Sequence, residues 1–296
     1  MTIGKSCAKI ILFGEHAVVY GKPGLAVPIK NAYTLATVSA EPFSYSTDKE
    51  LNEEETLRMS KMFKVIIDHL NLQDKNLSVN IESNIPLASG MGSSASLSVA
   101  IIKAYSNYLD LRLTNERINE ISMDCERIFH GNPSGIDNTV ITYERPVYYK
   151  NRKIEFLTFK KPLSLILANT GISSSTKDVV AEIRANFEAT PKKYLDLFNA
   201  IEAVVEDARI CLVKGDIKGV GSLMTKNHEL LGLMGVSSIQ LDAMVDRALK
   251  AGAYGAKLVG AGKGGNVVAL VDENRKERVM NELKPLSKDI RFAVVL

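Results

Sequence analysis

Apolar and polar positions alternate in short runs at the start of the chain. Lys9 to Phe13 (KIILF) reads as a strand, and Ala32 to Ala40 and Leu77 to Ser83 read as two more. The last of these alternates cleanly at Leu77, Val79 and Ile81. Between them, Glu53 to Leu70 has helical spacing, with Leu57, Met62, Phe63, Ile66, Ile67 and Leu70 as its apolar set. A helix is predicted from Ser93 to about Leu109, and another from about Thr114 to Phe129. Thr114 is a natural cap for the second, with Glu116 in the first turn. Its stripe is Ile118, Ile121, Cys125, Ile128 and Phe129, and Glu126 stands beside that stripe. Hairpin-like strands are expected around Thr139 to Tyr149 and Ile154 to Phe159.

From about Pro162 the texture changes. A buried strand, Ser164 to Asn169, precedes four helical patterns between Ser175 and Gly252. Pro191, Lys214-Gly215-Asp216 and Gly235 to Ser238 separate the four. The chain ends in a strand, a Gly-rich turn, a strand, a short helix and the strand FAVVL. The expected organisation is two α/β lobes, 1–162 and 163–296, without internal repeats or low-complexity tails.

The 296 residues carry a net charge of +3, too little to favour nucleic acid or an anionic membrane as a partner. Cys7, Cys125 and Cys211 show neither pairing nor metal-ligand spacing, so reduced thiols in a cytoplasmic protein are expected. The apolar run Ile10 to Phe13 is far too short for a secretory leader. Ser83 to Ile102 lacks charged residues over about the length of a membrane span, but it contains Pro86, Gly90, Gly92 and six serines. It reads instead as a loop feeding a buried helix.

Four segments suggest chemistry. In Pro86 to Ser96 (PLASGMGSSAS), two glycines let the backbone approach a ligand, and the following helix presents unpaired N–H groups. This is not a Walker-type loop, because no Gly-Lys-Ser/Thr follows. Taken alone it is equally a structural Gly/Ser turn. Glu126 together with His130 to Asp137 (HGNPSGID) offers two carboxylates, one suited to a divalent cation and one to a proton. The plain alternative is a solvated glutamate and a turn aspartate. Lys9 with Gly14-Glu15-His16 puts a cation and a carboxylate around the first strand, although a lysine there is often solvated. Gly260 to Gly265 (GAGKGG) is one Gly-rich turn among many until the other three segments are considered.

Together these segments resemble the GHMP kinase superfamily of galacto-, homoserine, mevalonate and phosphomevalonate kinases, over essentially the whole chain. KIILFGEHAVVYG and HGNPSGIDN are most similar to its mevalonate kinase branch. The resemblance implies a mixed α/β (α+β) fold, with an N-terminal α/β lobe and a ferredoxin-like C-terminal lobe. It further implies ATP as co-substrate, Mg²⁺, and transfer of a phosphoryl group to the C5 hydroxyl of mevalonate. Asp137 would be the base and Lys9 its charge partner. Ser94 and Glu126 would hold Mg²⁺. Pro86, Ser89, Gly90, Met91, Gly92, Ser93, Ser94, Ala95 and Ser96 would bind the nucleotide. Glu15, His16, Ser134, Thr176, Gly260 and Gly262 would contact substrate. A homodimer is implied by family analogy alone. Another acceptor (phosphomevalonate or a sugar) or a silent ligand sensor on the same fold are the competing readings. Two positions depart from the family pattern: Cys7-Ala8 replaces Pro-Gly, and Lys263 replaces a glycine. Lys263 is expected either to face solvent or to add a phosphate contact.

Overall fold

The computed structural model describes residues 2–86, 90–131, 133–151 and 153–296. The chain folds into two compact units that interleave in sequence. The first comprises Met1–Lys9, Pro28–Leu87 and Gly92–Glu144, and the second comprises Ile10–Val27, Ala88–Met91 and Arg145–Leu296. Strands β1 (Thr2–Phe13) and β2 (Gly24–Ser39), which pair with each other, run through both. The sequence boundary at 162–163 falls inside the second unit.

In the first unit, residues 34–39 of β2 pair antiparallel with β4 (Ser78–Ser83), and β3 (Tyr45–Thr47) pairs parallel with β4. Helices α1 (Glu53–Leu70), α2 (Ser93–Tyr108) and α3 (Asn115–His130) bury their apolar stripes in one core with the sheet. Phe63, Ile66, Val79, Ile102, Tyr105, Ile121 and Cys125 belong to it. The helix ends follow local chemistry. Asn52 and Glu55 form a capping box on α1, and the Thr114 hydroxyl accepts from Arg117 N–H at the start of α3. Leu57, expected on the α1 stripe, is exposed, and Met59 takes the buried place.

Two expectations need correction. Residues 136–143 are not a strand but a short helix, α4 (Ile136–Tyr143), and the hairpin is β5 (Val147–Lys150) with β6 (Lys153–Phe156). Thr139, Val140, Ile141 and Thr142 are β-branched, which favours a strand on propensity. Residues 138–142 are all buried, so no 3.6-residue polar period is written into the sequence. Tertiary contacts make the choice: Asn138 Nδ2 donates to Asn119 Oδ1 at 2.8 Å, and the Thr139 hydroxyl donates to the same oxygen at 3.4 Å. The strand expected from Ala32 begins at Gly24. Pro28 lies between its stretch paired to β5 (24–26) and its stretch paired to β4 (34–39).

The second unit is built on an antiparallel sheet of order β10-β7-β9-β8: Asp289–Val295, Leu163–Asn169, Asn266–Val271 and Gly255–Val259. Helices α5 (Thr176–Ala189), α6 (Pro191–Lys214), α7 (Ile217–Leu233) and α8 (Ile239–Lys250) intervene between β7 and β8, and α9 (Lys276–Leu283) between β9 and β10. The central pair with its two crossovers is the split βαβ arrangement of ferredoxin-like sheets. Strand β9 is buried at every position, and Val267 to Val271 reads as a continuous apolar run. Among the described residues no helix is long and apolar enough to cross a membrane. Cys7 and Cys125 are buried, and burial pushes the Cys7 thiol up to about 12 and that of Cys125 higher still.

Candidate active site

The first unit gathers three of the charged residues singled out by the sequence. Lys9, 3% exposed on β1, places Nζ 2.9 Å from Oδ1 of Asp137. Asp137 stands in the first turn of α4, whose N-cap Gly135 adopts φ +89°. Glu126 near the end of α3 and Asp137 at the start of α4, eleven positions apart, thus come to one region. Glu126 is buried, and its Oε1 has no hydrogen-bond partner among the described residues. Burial, and then the Asp137 charge, push its carboxyl up to about 8, while the Ser94 hydroxyl and Lys9 pull it down only in part. His130 Nε2 lies 3.2 Å from Ser94 Oγ and 3.7 Å from Glu126 Oε2. Burial lowers the pKa of His130, against the pull of the Asp137 charge.

The N-terminus of α2 meets the same cluster. Its N-cap, Gly92 (φ +72°), makes no side-chain cap, and the first amides of a helix suit an anion. A Cβ at Gly92 would sit 3.0 Å from Cγ and Cε of Lys9 and 3.0 Å from Cδ1 of Ile141. Glycine is therefore required twice here, by the left-handed backbone and by the lysine stem crossing it. Ser93 and Ser94 are partly exposed, whereas Ala95 and Ser96 are buried. The Ser96 hydroxyl is 2.7 Å from Ser6 Oγ and 3.0 Å from Thr34 Oγ1, tying α2 to β1 and β2 in the interior. Pro86 is partly buried before the helix, and Ser134 Oγ accepts from Ile136 N–H at 3.4 Å. Ser89 lies outside the described residues.

The second unit gathers the remaining residues around the turn that joins β8 to β9. Glu15 is 1% exposed and its Oε1 accepts from Nζ of Lys257, a fully buried lysine on β8. His16 Nε2 is 2.9 Å from Ala261 O. A carbonyl only accepts, so Nε2 carries the proton. Burial, reinforced by the Lys257 charge, lowers His16 to about 4 despite that hydrogen bond, leaving a neutral imidazole. Met91 is buried in this unit, and a Cβ on Gly90 would lie 2.9 Å from Gly260 Cα. Gly262 is closed in by Val236 O, 2.0 Å from where its Cβ would be. Lys263 N–H donates to Val236 O at 2.7 Å and Gly265 N–H to Ile172 O at 2.9 Å, so these two amides hold the turn in place. Lys263 itself (φ +57°) is partly exposed and pairs with Glu182 of α5. Thr176 is exposed at the start of α5.

Sequence reasoning missed Lys257 and His130. Lys257 is the one charge inside the apolar run of β8, a position where a lysine must have a partner. His130 stands four residues after Glu126 on the same helix, which puts both on one face.

Residues 56–145 match the GHMP kinases N terminal domain and 208–286 match GHMP kinases C terminal. The chain is 35% identical to a mevalonate kinase of Thermococcus sibiricus, over 91% of this chain and 89% of that one. It is 32% identical to one of Methanocaldococcus jannaschii, over 96% of each. A crystal structure of L. major mevalonate kinase in complex with R-mevalonate superposes with a TM-score of 0.88 at 30% identity, covering 100% of this chain and 96% of that one. The chain is a member of the GHMP kinase family.

Proposed function

We propose that the protein transfers the γ-phosphoryl group of ATP to the C5 hydroxyl of mevalonate, giving 5-phosphomevalonate and ADP. The observation that carries the reading is the Lys9–Asp137 pair at 2.9 Å, beside a buried glutamate and the uncapped start of α2. Asp137 accepts the hydroxyl proton as the alcohol oxygen attacks phosphorus and the bond to the β-phosphate oxygen breaks. The Lys9 ammonium keeps the Asp137 carboxylate in place and offsets negative charge gathering on the transferred group. Open amides at the start of α2, with Gly90 to Ser94, receive the triphosphate. Glu15, His16, Ser134 and Thr176 are assigned to the acceptor, and Gly260 and Gly262 to the turn that shapes the acceptor's end of the site.

The residues fit a bound Mg²⁺. Glu126 has a buried carboxylate oxygen without a hydrogen-bond partner among the described residues, and the Ser94 hydroxyl bonds to the same carboxyl. Among the described residues no three His, Cys, Asp or Glu side chains converge. One or two protein oxygens suffice for this cation, because phosphate oxygens and water complete its shell. Glu126 and Ser94 would hold the ion, which neutralises triphosphate charge when bound. The test is to incubate purified protein with Mg²⁺-ATP and separately with mevalonate, phosphomevalonate and galactose. Mass identification of 5-phosphomevalonate as the dominant product is expected. Faster ADP release with either other acceptor would overturn the assignment.

A further inference from the structure

The 14–16 segment is held in an unusual shape. Gly14 has φ +95°, with Pro23 O standing 2.4 Å from where a Cβ would be, and His16 has φ +61°. A non-glycine residue does not keep a left-handed backbone without outside support. Two side-chain contacts supply it, and both reach the same strand and turn. Glu15 accepts from Lys257 Nζ on β8, and His16 Nε2 donates to Ala261 O in the turn that follows. Lys257 Nζ also donates to Leu258 O at 2.8 Å. The lysine and the glutamate are 0% and 1% exposed at their side chains. A buried ion pair of this kind gives little or no stability over apolar residues of the same size, so its presence calls for a reason other than folding. Other titratable groups nearby are His16 and, on α7, His228, whose Nδ1 accepts from Leu258 N–H at 3.3 Å and whose Nε2 is 3.1 Å from Asp242 of α8.

From this geometry we infer that Lys257 is a positioning residue for the acceptor alcohol: its ammonium fixes Glu15 in one orientation and in its ionised form, so that the Glu15-His16 segment is preorganised for substrate hydroxyls. The inference rests on the proposed role of Glu15 and His16 in holding the acceptor. It adds that the strand before the glycine turn, through a residue that does not itself touch substrate, sets the affinity for the alcohol and leaves the nucleotide alone.

The experiment compares the parent enzyme with Lys257→Met and with Lys257→Met/Glu15→Gln. Parent turnover of mevalonate tests the functional reading by itself; if another alcohol is the substrate, the variants are compared on that alcohol. Loss of a charge-assisted hydrogen bond that orients a substrate contact should raise KM for the acceptor about tenfold or more, with KM for ATP unchanged within about twofold. The pH profile separates positioning from core filling. Without its cation, buried Glu15 holds a proton nearer neutrality, so kcat/KM for the acceptor in Lys257→Met climbs as pH rises above 7. Glu126, raised to about 8, titrates in all three enzymes, so the limb is read in the ratio of variant to parent, and that ratio stays flat for the double variant. The double variant also removes the uncompensated buried charge, so it folds if the single one does not, and its acceptor KM stays raised. A parent-like acceptor KM in either variant, or a flat ratio for Lys257→Met, overturns the proposal. So does failure of both to fold, which would make the lysine a core element only.

Discussion

Replacing Glu126 by Gln should stabilise the unliganded protein while weakening its use of Mg²⁺-ATP, and the size of the first effect follows from burial. The folded carboxyl is raised from 4.5 to about 8. Its contribution is therefore most favourable below pH 4.5 and is lost as pH rises through about 8, because the unfolded chain releases a proton that the folded chain retains. At pH 7 the loss is about 3 kcal/mol, at ~1.36 kcal/mol for each pH unit above 4.5, and above pH 8 it levels at about 5 kcal/mol. Gln has the shape of the protonated acid and does not titrate. The variant should thus match the parent within about 1 kcal/mol at pH 5 and exceed it by about 3 kcal/mol at pH 7. With about 2 °C per kcal/mol for a chain of this size, that is a rise in Tm of about 6 °C. Thermal melts at pH 5, 7 and 9, with and without Mg²⁺ and a non-hydrolysable ATP analogue, give the readout. Mg²⁺-nucleotide should raise the parent's Tm more than the variant's. A gain in Tm that is the same at pH 5 and 9, or a variant that melts below the parent at pH 9, refutes the reasoning.

Asp137→Asn keeps the shape beside Lys9 but removes the proton acceptor. Turnover should fall about 10²–10⁴-fold with KM for ATP little changed, as steady-state kinetics would register. Gly92→Ala puts a methyl 3.0 Å from the Lys9 stem on a backbone at φ +72°. It should cost about 1–2 kcal/mol in thermal or urea unfolding and lower kcat by displacing the ammonium. Lys263→Gly removes a partly exposed pair with Glu182 and relieves a left-handed lysine, so stability should change by less than about 1 kcal/mol. Its KM for ATP should stay within about twofold, and a larger rise would assign the lysine to phosphate.

Local signals in the sequence were enough for most elements. The α1 bounds follow from Asn52, Glu55 and the apolar stripe, and the four helices from Thr176 to Lys250 are separated at Pro191, Gly215 and the Gly235 to Ser238 turn. Each of these is a short-range effect, a cap or a break that acts within one turn of chain. Which residues could carry chemistry was legible for the same reason, since glycines beside a helix start and carboxylates beside a Gly/Pro turn are local patterns. Tertiary structure alone decided the rest. Residues 136–143 became a helix because partners on α3 satisfy them, against their own propensity. Glu126 is raised to about 8 by burial that comes from packing contributed by other segments. The partnership of Lys257 with Glu15 joins positions 242 apart, and nothing local at either end names the other. Burial and long-range pairing are properties of the packed chain, so the sequence could nominate the charged residues but not say which of them would be shut away from water together.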